Sequence, residues 1–110
     1  MAQLVWTDSA LEDLNRIADY IALDNVTAAN KLVMKIFSII ERLITYPESG
    51  RIPPELQNSV YREVIVDPCR IFYRINNDNI YILHVMRGEQ RLRKYLLEER
   101  KKEVDGKSHT

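Results

Sequence analysis

Residues 61–88, YREVIVDPCRIFYRINNDNIYILHVMRG, decide the fold of this chain. Three of its segments are rich in β-branched and aromatic side chains: residues 61–66, 69–75 and 80–86. Alternation in the second segment places Ile71, Tyr73 and Ile75 on one face, which is the period of a strand. Asp67-Pro68 predicts a turn, and residues 76–79 (NNDN) predict a hairpin connection, because Asn and Asp tolerate the left-handed conformation. The stretch therefore predicts three consecutive antiparallel strands.

The residues before this stretch change to helical periodicity. Apolar side chains recur at three- and four-residue spacing over 9–22 and again over about 26–46, which predicts two amphipathic helices. Capping candidates stand at Thr7-Asp8-Ser9 and at Asn25 or Thr27. Tyr46-Pro47 ends the second helix, since proline disfavours helix in the preceding residue. Residues 47–59, which contain three prolines and a glycine, predict a loop.

The two ends of the chain complete the predicted architecture. Residues 4–6 are a short apolar strand candidate, and residues 89–102 predict a charged surface helix with an apolar seam. The order β-α-α-β-β-β-α predicts an α+β fold, in which an N-terminal helical hairpin packs on a small, mainly antiparallel sheet. A length of 110 residues suits one domain. We expect it to span residues 1–103, followed by a disordered C-terminal tail over 104–110.

Bulk composition narrows the class of protein. The single cysteine, Cys69, allows no intrachain disulfide and suits a reducing compartment. No apolar run is long enough to span a bilayer, and the N-terminus lacks a signal-peptide pattern. We therefore expect a cytoplasmic protein that does not engage a membrane.

Charge is balanced overall but unevenly distributed. Residues 1–61 hold 5 Lys/Arg against 8 Asp/Glu, whereas residues 62–102 hold 10 against 6. An excess of four positive charges is small for a protein that depends on contacts with nucleic-acid phosphates. The distribution favours a protein partner over a polyanion.

An ordered set of motifs resembles the RelE/ParE toxin superfamily, and its ParE-like branch most closely. The set consists of residues 46–51 (YPESGR) after the helical hairpin, residues 61–63 (YRE), residues 70–75 (RIFYRI) and residues 80–88 (IYILHVMRG). The resemblance covers roughly residues 3–95. It implies the toxin component of a type II toxin–antitoxin system, which stabilises plasmids or chromosomal loci and is neutralised by a cognate antitoxin in a hetero-oligomer.

The superfamily contains two kinds of activity that the residues separate only in part. RelE-like members cut mRNA on the ribosome, whereas ParE-like members inhibit DNA gyrase. Metal-independent RNA cleavage needs a base, an acid and cations for the phosphorane. The resemblance implies five candidates for that role: Arg62, Arg70 and Arg91 as cations, Tyr95 as an acid, and His84, a side chain able to titrate near neutral pH.

Several of these candidates also have a structural interpretation. Arg70 is equally well explained as a sheet residue that is salt-bridged, for example to Glu63. His84, inside an apolar strand, is better explained as a packed residue with a satisfied ring nitrogen. Tyr95 can pack its ring against the sheet edge. The strand 61–66 lacks the lysine that a nuclease would use and carries Glu63 instead.

A partner-binding surface is the other expectation. The second face of the sheet, which carries Phe72, is left to the terminal helix or to a partner. Because little else in the chain covers it, we expect an apolar interaction site there. The target- or partner-binding candidates are Arg70, Phe72, Arg87 and Arg91. No His or Cys pair stands at ligand spacing, so we expect neither a metal nor a cofactor.

The leading hypothesis from the sequence is a ParE-like toxin that inhibits DNA gyrase and needs no catalytic residues. The first alternative is a ribosome-dependent mRNA endonuclease acting on the ribosome and mRNA. The second alternative is a non-toxic module of the same fold that only binds a partner. That module is suggested by Glu89-Gln90, which stand where the family often has a basic pair.

Overall fold

The computed structural model describes residues 2–107, with side chains described to Asp105. The elements are β1 (Gln3–Trp6), α1 (Asp8–Ala22), α2 (Val26–Glu41), a short 3₁₀ turn (Arg42–Ile44), β2 (Tyr61–Val66), β3 (Cys69–Asn76), β4 (Asn79–Arg87) and α3 (Lys94–Lys107). The strands form one sheet in the order β1-β4-β3-β2. β1 runs parallel to β4 and the other pairs are antiparallel, which confirms the predicted α+β class.

Local side-chain chemistry starts both helices of the hairpin. Thr7 Oγ1 accepts a hydrogen bond from the Ala10 amide at 3.2 Å, and Asn25 Oδ1 accepts one from the Ala28 amide at 2.9 Å. These bonds satisfy amides that have no partner within the helix. α2 ends as an α-helix at Glu41, earlier than predicted, and continues only as the 3₁₀ turn.

The predicted hairpin turn between β3 and β4 is confirmed. Asn77 and Asp78 adopt φ values of 51° and 67°, in the left-handed region. Asn and Asp tolerate this region better than most residues, because their short polar side chains hydrogen-bond locally. The turn fixes the register in which Asn76 pairs with Asn79 and Ile71 with Val85.

Two apolar clusters lie on opposite faces of the sheet. The hairpin core packs α1 and α2 on one face, with Leu14, Ile36 and Ile71 among its buried side chains. The α3 core lies on the other face and consists of Leu56, Tyr61, Phe72, Leu83, Met86, Leu97 and Val104. One sheet therefore supports two layers of packing, and the C-terminal helix supplies the second.

α3 corrects two expectations from the sequence. It extends from Lys94 to Lys107 instead of over 89–102, and Val104 is only 5% exposed. Asp105 bonds with Arg74 and Asn76 on β3. The expected end of the domain at residue 103 therefore falls short, because the last turns of α3 are tied to the sheet. The predicted tail residues 108–110 lie outside the described residues.

α3 also corrects the expectation for Phe72. The side chain is completely buried beneath Leu97 and its neighbours in the α3 core. Of the two covers that the sequence allowed, the terminal helix is the one that lies over this face, so the expected exposed apolar site is wrong. Phe72 is consequently not available to a partner in this conformation.

Across residues 2–107, no helix combines the length and apolarity that crossing a bilayer requires.

Candidate functional site

The first cluster of charged residues runs along β2 and β3 and joins the 47–59 loop to the sheet. Glu63, whose side chain is fully buried, accepts hydrogen bonds from Arg51 Nε at 2.9 Å and Arg70 Nε at 2.6 Å. The Arg70 guanidinium also donates to both carboxylate oxygens of Glu55, at 2.7 and 2.8 Å. A buried carboxylate is tolerated only when charge and hydrogen bonds compensate it, and two arginines do so here.

This arrangement matches the structural interpretation of Arg70 as a salt-bridged sheet residue. Its side chain is 12% exposed and is engaged by two carboxylates, so it acts as a structural ion pair. The hydrogen bond from Arg70 lowers the pKa of Glu55 to about 2, and the two carboxylates in turn raise the pKa of Arg70. Arg62 is likewise engaged, since it donates to the carbonyl oxygens of Glu48 and Gly50.

Tyr73 also holds the 47–59 loop against the sheet. Its hydroxyl accepts a hydrogen bond from the Gly50 amide at 2.9 Å and donates one to the Pro47 carbonyl at 2.7 Å. A Cβ on Gly50 would lie only 2.5 Å from that hydroxyl oxygen. Glycine at position 50 is thus required by the close approach of the loop to Tyr73.

The second cluster lies where β1 ends. β1 pairs with β4 only as far as Trp6 opposite Ile82. Beyond that point, the amide and carbonyl groups of β4 that face away from β3 have no strand to pair with. Side chains bond to these backbone groups where a neighbouring strand is missing. Asp13 Oδ2 accepts from the Val85 amide at 3.1 Å, Arg100 Nη1 donates to the Leu83 carbonyl at 2.9 Å, and the Arg87 amide donates to Gln90 Oε1 at 3.1 Å.

Asp13, His84 and Arg100 form the centre of this second cluster. His84 Nδ1 lies 2.7 Å from Asp13 Oδ2 and 2.9 Å from Arg100 Nη1, and Arg100 Nη1 donates to the same carboxylate oxygen at 2.7 Å. Burial alone would raise the pKa of Asp13, but the hydrogen bonds with His84 and Arg100 hold it below its ordinary value. His84 also stacks on Phe72. It is a packed histidine with a satisfied ring nitrogen, as expected from its place in the strand.

These residues form the floor of a recess, which we name the β4-edge recess, with a volume of about 1090 Å³. Its wall residues come from α1, β4, the 88–93 loop and α3. They are Asp13, Arg16, Ile17, His84, Val85, Met86, Gln90, Arg91, Leu92, Arg93, Tyr95, Leu96 and Arg100. Three of the five nuclease candidates, His84, Arg91 and Tyr95, therefore share one cavity. Arg62 and Arg70 do not line it.

Arg87 has contacts of its own. Its guanidinium carbon lies 4.8 Å from the centre of the Tyr20 ring, and Nη2 pairs with Glu89. Glu89 and Gln90 thus close the turn that follows β4. Among the described residues, no group of three or more His, Cys, Asp or Glu side chains is arranged to hold a metal ion.

Sequence reasoning missed Asp13 and Arg100. Asp13 lies 71 residues from His84 and 87 from Arg100. The only available signal was a charged residue next to the apolar face of a predicted helix, because Leu14 and Ile17 follow Asp13 in the α1 pattern. Without the topology, that signal does not identify a partner.

The fold is that of a small α+β domain, and comparison with known proteins gives its family. The family model described as the ParE toxin of type II toxin-antitoxin system, parDE, matches residues 4–92. The chain therefore belongs to the ParE toxin family, within the RelE/ParE superfamily, and is a toxin of the type II toxin–antitoxin class.

Individual relatives agree with this assignment. Toxin RelE2 of Caulobacter vibrioides is 36% identical over 86 residues, which cover 77% of this chain and 93% of the relative. Putative toxin Y4kP of Sinorhizobium fredii is 40% identical over 86 residues, covering 77% and 86%. A chain of the solved chromosomal ParDE TA system from P. aeruginosa superposes with a TM-score of 0.67 at 28% identity, covering 81% of this chain and 98% of that one.

Proposed function

We propose that this protein is a cytoplasmic toxin that arrests growth by binding and inhibiting DNA gyrase, and that a cognate antitoxin neutralises it in a toxin–antitoxin complex. Inhibition of this kind requires a presented surface and no acid–base set. The family assignment supports the toxin class. The ion pairs of the Arg70 side chain with two carboxylates support protein binding over RNA cleavage.

The ion pairs of Arg70 are the main observation behind this proposal. In the nuclease alternative Arg70 would stabilise the negative charge of the phosphorane. Its guanidinium instead donates to Glu63 and Glu55 at 2.6 to 3.0 Å. A phosphate brought to this position would meet two carboxylates along with the arginine, and their repulsion opposes RNA binding.

The test is a gyrase supercoiling assay with purified protein. We expect inhibition at concentrations that also arrest growth on expression, and restored supercoiling when the antitoxin is added. A protein that arrests growth but leaves supercoiling intact would contradict gyrase as the target. Unimpaired growth on expression without a partner would favour the non-toxic binding module.

The second candidate function is the ribosome-dependent endonuclease, and one observation favours it. His84, Arg91 and Tyr95 line the same recess, where Arg16 and Arg93 add positive charge. Primer extension on translated transcripts decides this point. Cleavage that is lost in Arg91→Ala and Tyr95→Phe, with the fold intact, would promote the nuclease to first place. We expect no cleavage.

A further inference from the structure

The β4-edge recess concentrates positive charge in a chain whose net charge is zero. Four arginines line it, Arg16, Arg91, Arg93 and Arg100, against the single carboxylate of Asp13. Arg100 is bonded to that carboxylate at 2.7 Å, which largely neutralises both groups. The remaining positive charge therefore belongs to the three arginines at the rim.

The rim arginines are available to a ligand. Arg91 and Arg93 are exposed, and neither makes an ion pair or side-chain hydrogen bond with any residue in the part of the chain that the structure describes. Arg16 is 75% exposed and lies 3.6 Å from an Asp13 oxygen that is already shared with Arg100. Three arginines with little internal compensation thus line one recess.

Apolar side chains lie between these charges. Ile17 of α1, Met86 of β4 and Leu92 and Leu96 near the start of α3 contribute to the wall, and the ring of Tyr95 is 57% exposed. A recess that combines apolar side chains, an exposed tyrosine ring and arginines resembles protein–protein interfaces, where aromatic residues and arginine are enriched.

We propose that the β4-edge recess binds an acidic segment of a partner polypeptide, with carboxylates on Arg16, Arg91 and Arg93 and an apolar side chain between them. The inference rests on the proposed function only in taking a protein as the partner. Charge complementarity at the rim sets the choice of partner and the rate of association more than the final affinity.

Nucleic acid fits the recess less well. The Asp13 carboxylate lines the cavity, and Glu89, which pairs with Arg87, precedes the lining residue Gln90 in the sequence. The excess of four positive charges over residues 62–102 gives weak attraction for a polyanion. Carboxylates carried on a peptide can be spaced to meet three arginines and avoid these acidic groups.

The first experiment measures fluorescence anisotropy of a labelled peptide of repeating Glu-Glu-Leu. The variant Arg91→Glu/Arg93→Glu reverses two rim charges, and Lys31→Glu/Lys35→Glu reverses two exposed charges on α2 as the matched control. We expect binding to the rim variant to be about tenfold or more weaker than to the wild type, and binding to the control to be nearly unchanged. Equal weakening in both variants, or no peptide binding to the wild type, would overturn the inference.

A second set of ligands identifies the kind of partner. A Glu-Glu-Ser peptide should bind more weakly than Glu-Glu-Leu, because it lacks the apolar side chain. Oligouridylate should bind more weakly than either peptide, and tighter binding of oligouridylate would assign the recess to nucleic acid instead. Circular dichroism of each variant verifies the fold. Gyrase supercoiling is measured separately with the wild type. A wild type that inhibits gyrase but does not bind the peptide counts against the recess alone, and one that binds the peptide but does not inhibit gyrase counts against the target alone.

Discussion

At the scale of single residues, a few buried polar groups are stabilised by ion pairs and hydrogen bonds with the residues around them. Glu63 is the clearest case, since its fully buried carboxylate lies between Arg51 and Arg70. Its replacement leaves Arg70 with Glu55 as its remaining partner. The importance of Glu63 is therefore a matter of stability and is measurable without any activity assay.

We expect Glu63→Gln to lower the free energy of unfolding by about 1–3 kcal/mol, because a buried compensated charge is lost while one arginine partner stays partly buried. Urea denaturation followed by circular dichroism measures the change. Glu55→Gln is the control. The Glu55 side chain is 45% exposed, so its loss should change the free energy of unfolding by no more than about 1 kcal/mol. Equal effects would mean that burial of Glu63 is not what makes its ion pairs important.

A glycine pair provides a second residue-scale prediction. A Cβ at Gly50 would lie 2.5 Å from the Tyr73 hydroxyl and 2.8 Å from the Glu63 carbonyl oxygen, whereas at Gly88 the nearest atom is the Pro68 carbonyl oxygen at 3.5 Å. Gly50→Ala should therefore destabilise the protein by about 1–3 kcal/mol through overpacking. Gly88→Ala should be nearly neutral. Thermal melting of the two variants side by side tests this, and a reversed order would contradict it.

At the scale of elements, the Asp13 carboxylate joins three of them. It bonds to β4 through Val85 and His84 and to α3 through Arg100, while belonging to α1. Hydrogen bonds inside a partly buried site stabilise the charged carboxylate, and its pKa is lowered as a result. The free energy of folding therefore depends on the protonation state of the Asp13 carboxylate.

The sign of that linkage gives a pH prediction. Because the folded pKa of Asp13 is below its ordinary value of 3.8, its contribution is present above that pH and is lost as the pH falls through the folded pKa. Asp13→Asn should be less stable than the wild type at about pH 5, and the difference should shrink towards about pH 2.5. Urea unfolding of both proteins across this range measures it. A gap that widens in acid would contradict the assignment.

The α3 helix gives the other element-scale prediction. Leu97 is completely buried in the α3 core, while Tyr95 on the same helix is 57% exposed. Leu97→Ala should cost about 2–5 kcal/mol of unfolding free energy, as for other large-to-small core substitutions. Tyr95→Ala should change it by less than about 0.5 kcal/mol. Similar effects of the two substitutions would argue that α3 is not packed on the sheet.

How far the sequence predicted each element depended on how local its determinants are. Strand alternation and the Asn77-Asp78 turn are encoded in adjacent residues, and both were predicted correctly. The placement of α3 is not local. Its apolar residues Leu97 and Val104 pack in one core with Phe72, which lies on a strand more than twenty residues earlier in the sequence. Periodicity predicts that a helix forms but does not indicate which face of the sheet the helix covers.

The same limit applies to the candidate site. The salt bridge of Arg70 with Glu63 was among the sequence interpretations, because the two residues lie on neighbouring predicted strands. The Asp13–His84–Arg100 cluster was not, since it unites three elements that only the folded topology brings together. Pairings across a hairpin are predictable from sequence, whereas pairings set by layer packing are not.

At the scale of the whole molecule, both cores share one sheet. β3 contributes Ile71 and Tyr73 to the hairpin core and Phe72 to the α3 core, on alternate residues of a single strand. A small domain built this way should unfold cooperatively, since neither core has a sheet of its own.

The single tryptophan makes this testable. Trp6 packs against the hairpin core and lies 4.9 Å from Phe37, measured between ring centres. We expect tryptophan fluorescence and far-ultraviolet circular dichroism to report the same urea midpoint in the wild type. They should also shift together in Leu97→Ala, although Leu97 belongs to the other core. A fluorescence midpoint that stays in place while the dichroism midpoint moves would show two independent folding units.

The early end of β1 at Trp6 has a consequence for how copies of this protein behave at high concentration. An uncovered strand edge is a template on which another chain can add a strand, the first step towards amyloid-like assembly. Along β4, Asp13, Arg100 and Gln90 already hold backbone groups that an incoming strand would need. We therefore expect the side chains that complete the fold at this edge also to oppose the addition of a strand there.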